Sequence, residues 1–399
     1  MNFDKIIKYA IFIKKEWDMD FRLTEEQQMM RDMARRFAEE RVKPGAAERD
    51  RTHEFPVDLL KECAELGFMG VAIPEEYGGA GMDYISYAIM IEEISKACAS
   101  TGVILSVNNS LVCDPLLKFG SEYIKKEFLT PLAEGKKLGC FGLTEPNAGS
   151  DAANVKTTAV KDGDSYVING SKIFITNATH ADVCIIFAVT DKEKGKHGIS
   201  AFVVDTKTPG FNIGTVEDKL GINASGTAEL YFEDMRIPKE NLLGEEGQGY
   251  KIALATLDGA RIGIAAQGVG LAQAVLDESV RYAKERVQFG RPIASFQAIQ
   301  WYLADMATNI EAARLLTYKG ASCKQNGGRC NKITSMAKVF AAETAMEAAR
   351  KGIQIFGGYG YMKEYPMERF FRDAKILEIY EGTSEIQRIV IAAQVLAEV

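Results

Sequence analysis

The chain has 399 residues, 47% hydrophobic and 26% charged, a globular composition long enough for two or three packed domains. A formal net charge of −7 supplies no overall basic field, which argues against nucleic acid and anionic membrane as bulk partners. Cys63, Cys98, Cys113, Cys140, Cys184, Cys323 and Cys330 form an odd set without a C-x-x-C pair, and His53, His180 and His197 stand at no metal-ligand spacing. Neither a disulfide framework nor a metal site is indicated, and the cysteines read as buried thiols of a reducing cytoplasm.

No stretch reaches the roughly 18 to 20 apolar residues of a membrane span. Residues 1–18 carry one short apolar run, Tyr9 to Ile13, flanked by lysines; they read as an N-terminal extension ahead of Met19 rather than a signal peptide. Thr24 is placed to cap a charged amphipathic helix that ends before Pro44. Apolar residues then recur at three and four in "PVDLLKECAELGF" and "YAIMIEEIS", so residues 19–138 are expected to form a helical domain.

From residue 139 to 247 the texture is β-rich. The runs "TTAV", "YVI", "KIFI", "DVCIIFAVT" and "ISAFVVD" are separated by Asp162-Gly163-Asp164, Asn169-Gly170 and Pro209-Gly210, which predicts an antiparallel β domain. Asn169-Gly170 reads as a hairpin turn, since both residues tolerate positive φ. Residues 248–399 return to the helical period, with Val269, Ala272, Leu276, Val280 and Ala283 on one face of a long helix. An α, β, α order without alternating β-α units argues against a doubly wound nucleotide fold.

Two strings read as packing rather than chemistry. Gly268-Val269-Gly270 lies inside the helical pattern with no strand before it, unlike a dinucleotide fingerprint. Ser335-Met336-Ala337-Lys338 has S-x-x-K spacing but lacks the S-D-N and K-T-G partners of serine acyl-transfer enzymes; it reads as one turn of helix presenting a serine and a lysine.

Three other strings are less ordinary. "FGLTEPNAGSDAANV", Phe141 to Val155, enters the β domain with small and hydroxyl residues, so it is either an interdomain turn or a loop whose backbone meets a flat or phosphorylated ligand. "QIFGGYGY", Gln354 to Tyr361, places three glycines in four positions at a helix end, more than a C-cap needs, which suggests a ligand or another subunit. "EIYEGTSEIQR" sets Glu381 just before a helix, with Ser384 to Gln387 in capping-box form. Glu381 either complements that helix's positive end or is a carboxylate whose pKa burial raises.

Taken in order, "FGLTEPNAGSD", "IFITN", "LDGARIGIAAQ", "ERVQFGRPI", "QIFGGYGY" and "IYEGTSEIQR" resemble the acyl-CoA dehydrogenase family over Met19 to Val399. The resemblance implies an α+β multidomain fold: an N-terminal helical domain, a middle antiparallel β-barrel and a C-terminal four-helix bundle. It also implies FAD as cofactor and gives Glu381 the role of removing the α-proton of an acyl-CoA thioester while the flavin takes the β-hydrogen as hydride. A carboxylate is a weak base for a carbon acid, so the thioester oxygen needs hydrogen-bond donors; the family implies the Glu381 N–H and a flavin ribityl hydroxyl.

Carried over by motif, Phe141, Leu143, Thr144, Ser150, Phe174, Ile175, Thr176, Thr383 and Glu385 hold the flavin from its own subunit. Arg286, Phe289, Gln297, Gln354, Gly357 and Gly358 match positions that reach the dinucleotide across a subunit interface, implying a homotetramer built as a dimer of dimers. Ser150, Asp258, Arg261 and Gly382 match positions near the bound thioester. Relatives acting on long or branched chains carry the base at the position of Ala260, which cannot serve. "VNNSL" and "LDGARIGIAAQ" resemble the short-chain members most, implying a butyryl-CoA-like substrate, a trans-2-enoyl-CoA product and electron-transferring flavoprotein as acceptor.

Two residues depart from the family pattern: Asp114, near the expected acyl pocket, reads as a solvated helix residue, and Asn223 stands where an arginine is common. The alternatives are a cyclic or branched acyl-CoA, direct reoxidation by oxygen, or a non-enzymatic flavin- or CoA-binding protein of the same fold.

Overall fold

A computed structural model describes residues 21–398; the N-terminal extension read at residues 1–18 lies outside them. Helix α1 (Glu25–Phe37) begins as expected at Thr24, whose hydroxyl accepts from Gln27 N–H while the Gln27 side chain accepts from Thr24 N–H. The helix relaxes into a π-helical turn that ends at Val42, before Pro44. α2 (Ala46–Thr52) and α3 (Val57–Glu65) follow, then α4 (Tyr84–Ala97), α5 (Ala99–Ser106), a π-helical segment Val107–Cys113 and α6 (Asp114–Phe119).

α4 is buried nearly all round, Glu92 and Glu93 included, so their charges need partners. Arg314 donates to Glu92 at 2.9 Å and Arg35 to Glu93 at 2.8 Å, tying α4 to a C-terminal helix and to α1. Asp114 is not solvated. It is buried, accepts from Tyr84 OH at 2.5 Å and pairs with Lys324 at 3.0 Å, because α6 turns its first residue inward beneath Tyr84.

The middle domain is an eight-stranded sheet: β1 (Gly139–Gly142), β2 (Thr158–Asp162), β3 (Ser165–Thr176), β4 (Val183–Val189), β5 (Ile199–Asp205), β6 (Phe211–Val216), β7 (Thr227–Pro238) and β8 (Leu242–Leu243), ordered β6-β7-β3-β2-β4-β5-β8. Most pairs are antiparallel, but β1 and the end of β2 lie parallel to β4. The hairpin predicted at Asn169-Gly170 turns instead at Gly163-Asp164, between the paired Asp162 and Ser165. Asn169-Gly170 sits inside β3 at a bulge against β7, where Asp234 N–H donates to the Asn169 side chain at 2.8 Å.

The C-terminal domain comprises α7 (Gly249–Glu285), a hairpin of β9 (Val287–Gln288) and β10 (Arg291–Pro292), α8 (Gln297–Gln325), α9 (Asn331–Phe356), α10 (Met367–Ile376) and α11 (Ser384–Ala397). Gly268 and Gly270 do serve packing. A Cβ at Gly268 would press on Ala341 of α9, and one at Gly270 would overlap the Glu92 carbonyl of α4. Of the apolar face predicted on α7, Val269, Ala272 and Ala283 are buried; Leu276 and Val280 are half-buried in a surface groove against Leu303 of α8. α11 is capped by Thr383, which accepts from Ile386 N–H at 3.3 Å, so the capping box read from Ser384 does not form. Ser384 is already the first helical residue.

One core runs through all three domains, joining Val103 and Leu129, Phe187 and Val203, and Ile264 and Ala345. Arg372 of α10 adds a polar clamp: it donates to Asp50 at 2.6 Å, to Glu368 at 2.7 Å and to the Leu220 carbonyl at 3.3 Å. No helix of the described residues is long and apolar enough to cross a membrane. Replacing Arg372 by alanine strands two acidic partners; thermal unfolding of R372A should show a loss of about 1.5–3 kcal/mol, and an unchanged melt would remove the clamp from the account.

Candidate active site

The loop from Leu377 to Thr383 carries Glu381 between α10 and α11. Glu381 has φ +53 and Gly382 φ +96, two successive left-handed residues, of which only the glycine takes that shape without strain. Side chains from three directions hold them. Gln387 donates to the Glu381 carbonyl at 3.1 Å and the Gly382 carbonyl at 2.9 Å. Lys338 of α9 donates to the Gly382 carbonyl at 2.7 Å. Tyr380 OH donates to the Gln267 side chain of α7, whose own amide donates to the Ala99 carbonyl at 2.8 Å.

Glu381 Oε2 is buried and has no hydrogen-bond partner. Burial pushes this carboxyl up to about 7, against the pull of Lys338 and Arg261. Lys338 is fully buried, and burial brings its ammonium down to about 8 despite Glu381. Arg261 of α7 is buried too; it donates to Asp258 at 2.7 Å and to the Ser335 hydroxyl at 3.1 Å, while its Nε is left without a partner. Burial raises the Asp258 carboxyl, with Arg261, Lys118 and Arg329 opposing. An unpaired carboxylate oxygen and an unpaired guanidinium nitrogen in one buried place are what a polar ligand would satisfy. Tyr87 completes the wall: its hydroxyl lies 3.1 Å from Ser106, and a Cβ at Gly263 would overlap both.

The sequence singled out Glu381, Gly382, Asp258 and Arg261, and the fold brings them together. It missed Lys338, Ser335, Gln267, Gln387 and Tyr87. Ser335 and Lys338 are the two polar residues of the S-x-x-K string, and three-residue spacing on a helix puts them on one face, here turned inward rather than to solvent. The serine accepts from arginine and the lysine grips a carbonyl, so neither is arranged as an acyl-transfer nucleophile.

A second region lies at the end of β3. Ile173 N–H donates to the Thr144 carbonyl at 2.9 Å, which lays the Phe141–Thr144 segment beside Phe174, Ile175 and Thr176. Beneath it Lys172, fully buried, donates to Glu145 at 2.7 Å, to the Phe187 carbonyl at 2.7 Å and to the Leu143 carbonyl at 3.3 Å. Glu145 in turn accepts from Lys156 and Thr157 N–H at 2.6 and 3.0 Å. This buried staple shapes the whole turn, and the sequence reading did not assign it. Ser150 is exposed on the loop that follows. Asn177, at the end of β3, donates to the Ile104 carbonyl at 3.2 Å and the Gly139 carbonyl at 3.1 Å, so α5 contacts this region and the Glu381 region alike.

The remaining expected cofactor residues lie apart from this second region. Thr383 and Glu385 stand at the start of α11, beside Glu381. Gln354 lies 16 residues beyond Lys338 on α9, about 24 Å along the helix axis at 1.5 Å per residue. Arg286 stacks there on Tyr359 at 5.4 Å, and Phe289 stands on the hairpin loop, 93% exposed with φ +52. Nothing lies within 4 Å of where a Cβ would sit on Gly357 or Gly358. That surface is open.

The fold and this site define a three-domain α, β, α architecture around a buried, unpartnered carboxylate oxygen, and comparison with known proteins identifies it. The family's N-terminal, middle and C-terminal domain profiles match residues 24–136, 140–235 and 247–396. The chain belongs to the acyl-CoA dehydrogenase family. It is 54% identical to the short-chain specific acyl-CoA dehydrogenase of Clostridium acetobutylicum over 94% of this chain and all of that one. It superposes on butyryl-CoA dehydrogenase from Megasphaera elsdenii with TM-score 0.93 and 50% identity, covering 95% of this chain and all of the other. A chain solved in work on the electron transferring flavoprotein of Acidaminococcus fermentans and flavin-based electron bifurcation matches with TM-score 0.94, 53% identity and the same coverage.

The chain is therefore an FAD-dependent oxidoreductase of acyl-CoA. The residues present fit the cofactor. Phe174 is 61% exposed with φ +60, an apolar residue left open two residues before Thr176 at the end of β3, and the bare backbone of Gly357 and Gly358 admits close approach. The Lys172–Glu145 staple gives a direct check. Lys172→Met leaves a buried carboxylate without its cation, so stability should fall by about 3–5 kcal/mol and the flavin-to-protein absorbance ratio after gel filtration should drop. Wild-type melting and flavin retention would contradict the assignment.

Proposed function

We propose that this protein removes the α and β hydrogens of a short-chain acyl-CoA to give the trans-2-enoyl-CoA, with Glu381 as the base, and passes the electrons to an electron-transferring flavoprotein. The observation that carries the reading is the buried, unpartnered Oε2 of Glu381, on a carboxyl raised to about 7: a base for a carbon acid works best when its pKa is close to the working pH. Bound FAD supplies the acceptor for the β-hydrogen. Asp258, Arg261, Gly382 and Ser150 are assigned to the CoA thioester, and the Glu381 N–H to the acyl oxygen, where negative charge develops.

Phe141, Leu143, Thr144, Ser150, Phe174, Ile175, Thr176, Thr383 and Glu385 are assigned to the flavin of their own subunit. Arg286, Phe289, Gln297, Gln354, Gly357 and Gly358 are assigned to the dinucleotide of a neighbour in a homotetramer. The separation of Gln354 from Lys338 along α9 and the exposure of Phe289, Gln297, Gln354, Gly357 and Gly358 support the division. The relatives named for short-chain and butyryl substrates support the chain length, and the Acidaminococcus work supports the acceptor. Ala260, at the alternative base position, is buried and carries no acid. Asp114 is ion-paired with Lys324 and hydrogen-bonded by Tyr84, so it offers no free charge to an acyl group, which favours a plain short chain over a polar one. A cytoplasmic location accords with seven free cysteines.

Anaerobic butyryl-CoA should bleach the flavin band of the wild type. Glu381→Gln should keep its flavin and lose turnover about 10²–10⁴-fold; retained turnover would reject Glu381 as base. The pH dependence follows from the raised carboxyl. The base must be ionised, so kcat/KM of the free enzyme should climb as pH rises through about 7, and a profile flat from pH 5 to 8 would contradict it.

A further inference from the structure

Lys338 is unusual on geometric grounds alone. It stands in the middle of α9 with no exposed surface, where a lysine is rarely found without a carboxylate partner. Its ammonium donates instead to the Gly382 carbonyl at 2.7 Å. That carbonyl belongs to the second of two left-handed residues, and Gln387 is its other donor. Backbone held in such a shape persists only where its surroundings over-determine it, and here the surroundings are one buried cation and one buried amide.

α9 cannot easily give way. It packs on α7 closely enough that Gly268 meets Ala341, and one turn before Lys338 the Ser335 hydroxyl takes the Arg261 bond. The helix thus delivers two polar contacts, three residues apart, to the two sides of the site: one to the arginine that faces the carboxylate, one to the backbone that carries it.

We propose that Lys338 is a positioning residue for α-proton abstraction: by gripping the Gly382 carbonyl it fixes the left-handed Glu381–Gly382 backbone from which the base projects. The inference rests on the reading of Glu381 as base. The groups facing Glu381 are Lys338 from α9, Arg261 with its partner Asp258 from α7, Tyr87 from α4 and Tyr380 beside it; Glu378 and Glu385 face Lys338 from the loop and from α11. Among these, Lys338 and Arg261 alone pull the carboxyl down. Removing Lys338 therefore raises the carboxyl further, and ionisation needs a higher pH.

The test uses the FAD-loaded enzyme and its Lys338→Met and Lys338→Arg forms, with butyryl-CoA as substrate and Glu381→Gln run alongside. Lys338→Met should retain flavin, lose about 10- to 100-fold in kcat, the scale of a displaced catalytic group, and show the acid limb of its kcat/KM profile moved to higher pH. Lys338→Arg, which keeps a charged donor, should recover most of the rate and return the limb. A Lys338→Met enzyme with wild-type kcat and an unmoved limb overturns the proposal. So does a loss of rate with an unmoved limb that arginine does not rescue, since that is what a merely structural lysine would give.

Should Lys338→Met fail to hold flavin, Gln387→Met decides. It removes the other donor to the same carbonyl without changing charge; a lower kcat with an unmoved limb supports the tether, and an unchanged kcat refutes it. Retained turnover in Glu381→Gln would fault the base itself, whereas its loss beside an unaltered Lys338→Met would fault only this proposal.

Discussion

Everything at the centre of this protein follows from burying one carboxylate oxygen, Glu381 Oε2, without giving it a partner. Burial alone would keep Glu381 protonated far above the ordinary carboxyl value near 4.3, and full pairing would hold it permanently ionised and inert. The fold takes neither course. Two cations, Lys338 and Arg261, oppose the burial without bonding to the carboxylate, because each is already engaged: one by the Gly382 carbonyl, the other by Asp258 and Ser335. The result is a carboxyl near neutrality rather than a salt bridge.

That arrangement needs three domains to hold still together. α7 and α9 bring the cations, the loop after α10 brings the carboxylate, and α4 and α5 bring Tyr87 and Ser106 as the wall. The middle domain touches the same α5 through Asn177, so the region assigned to the flavin and Glu381 share one supporting helix. The stripe Gly263, Gly268 and Gly270 on α7 makes the close approach of α4, α5 and α9 possible. Larger residues there would push apart the elements that define the site.

Much of this was legible in the sequence, and the exceptions share a cause. Domain order and helix positions could be read because apolar periodicity reports which face is buried. Glu381, Asp258 and Arg261 could be read because they stand in a linked series of motifs. Lys338 could not, since a lysine in a helix normally points to water, and only the packing of α9 on α7 turns it inward. Asp114 was misread for the same reason, its charge being hidden by Lys324 and Tyr84. Asn169-Gly170 and Gly163-Asp164 are equally good turn sequences; the strand ladder chooses between them. Thr383 and Ser384 can both cap a helix, and a single residue of register decides.

The most direct measurement is the ionisation of Glu381 itself, read as the carboxyl stretch in infrared difference spectra of wild type minus Glu381→Gln across pH 4 to 9. The account predicts a protonated carboxyl that titrates near pH 7. A group already ionised at pH 5, titrating near the ordinary value of about 4.3, would contradict it and would return Glu381 to the role of a carboxylate that merely complements a helix end.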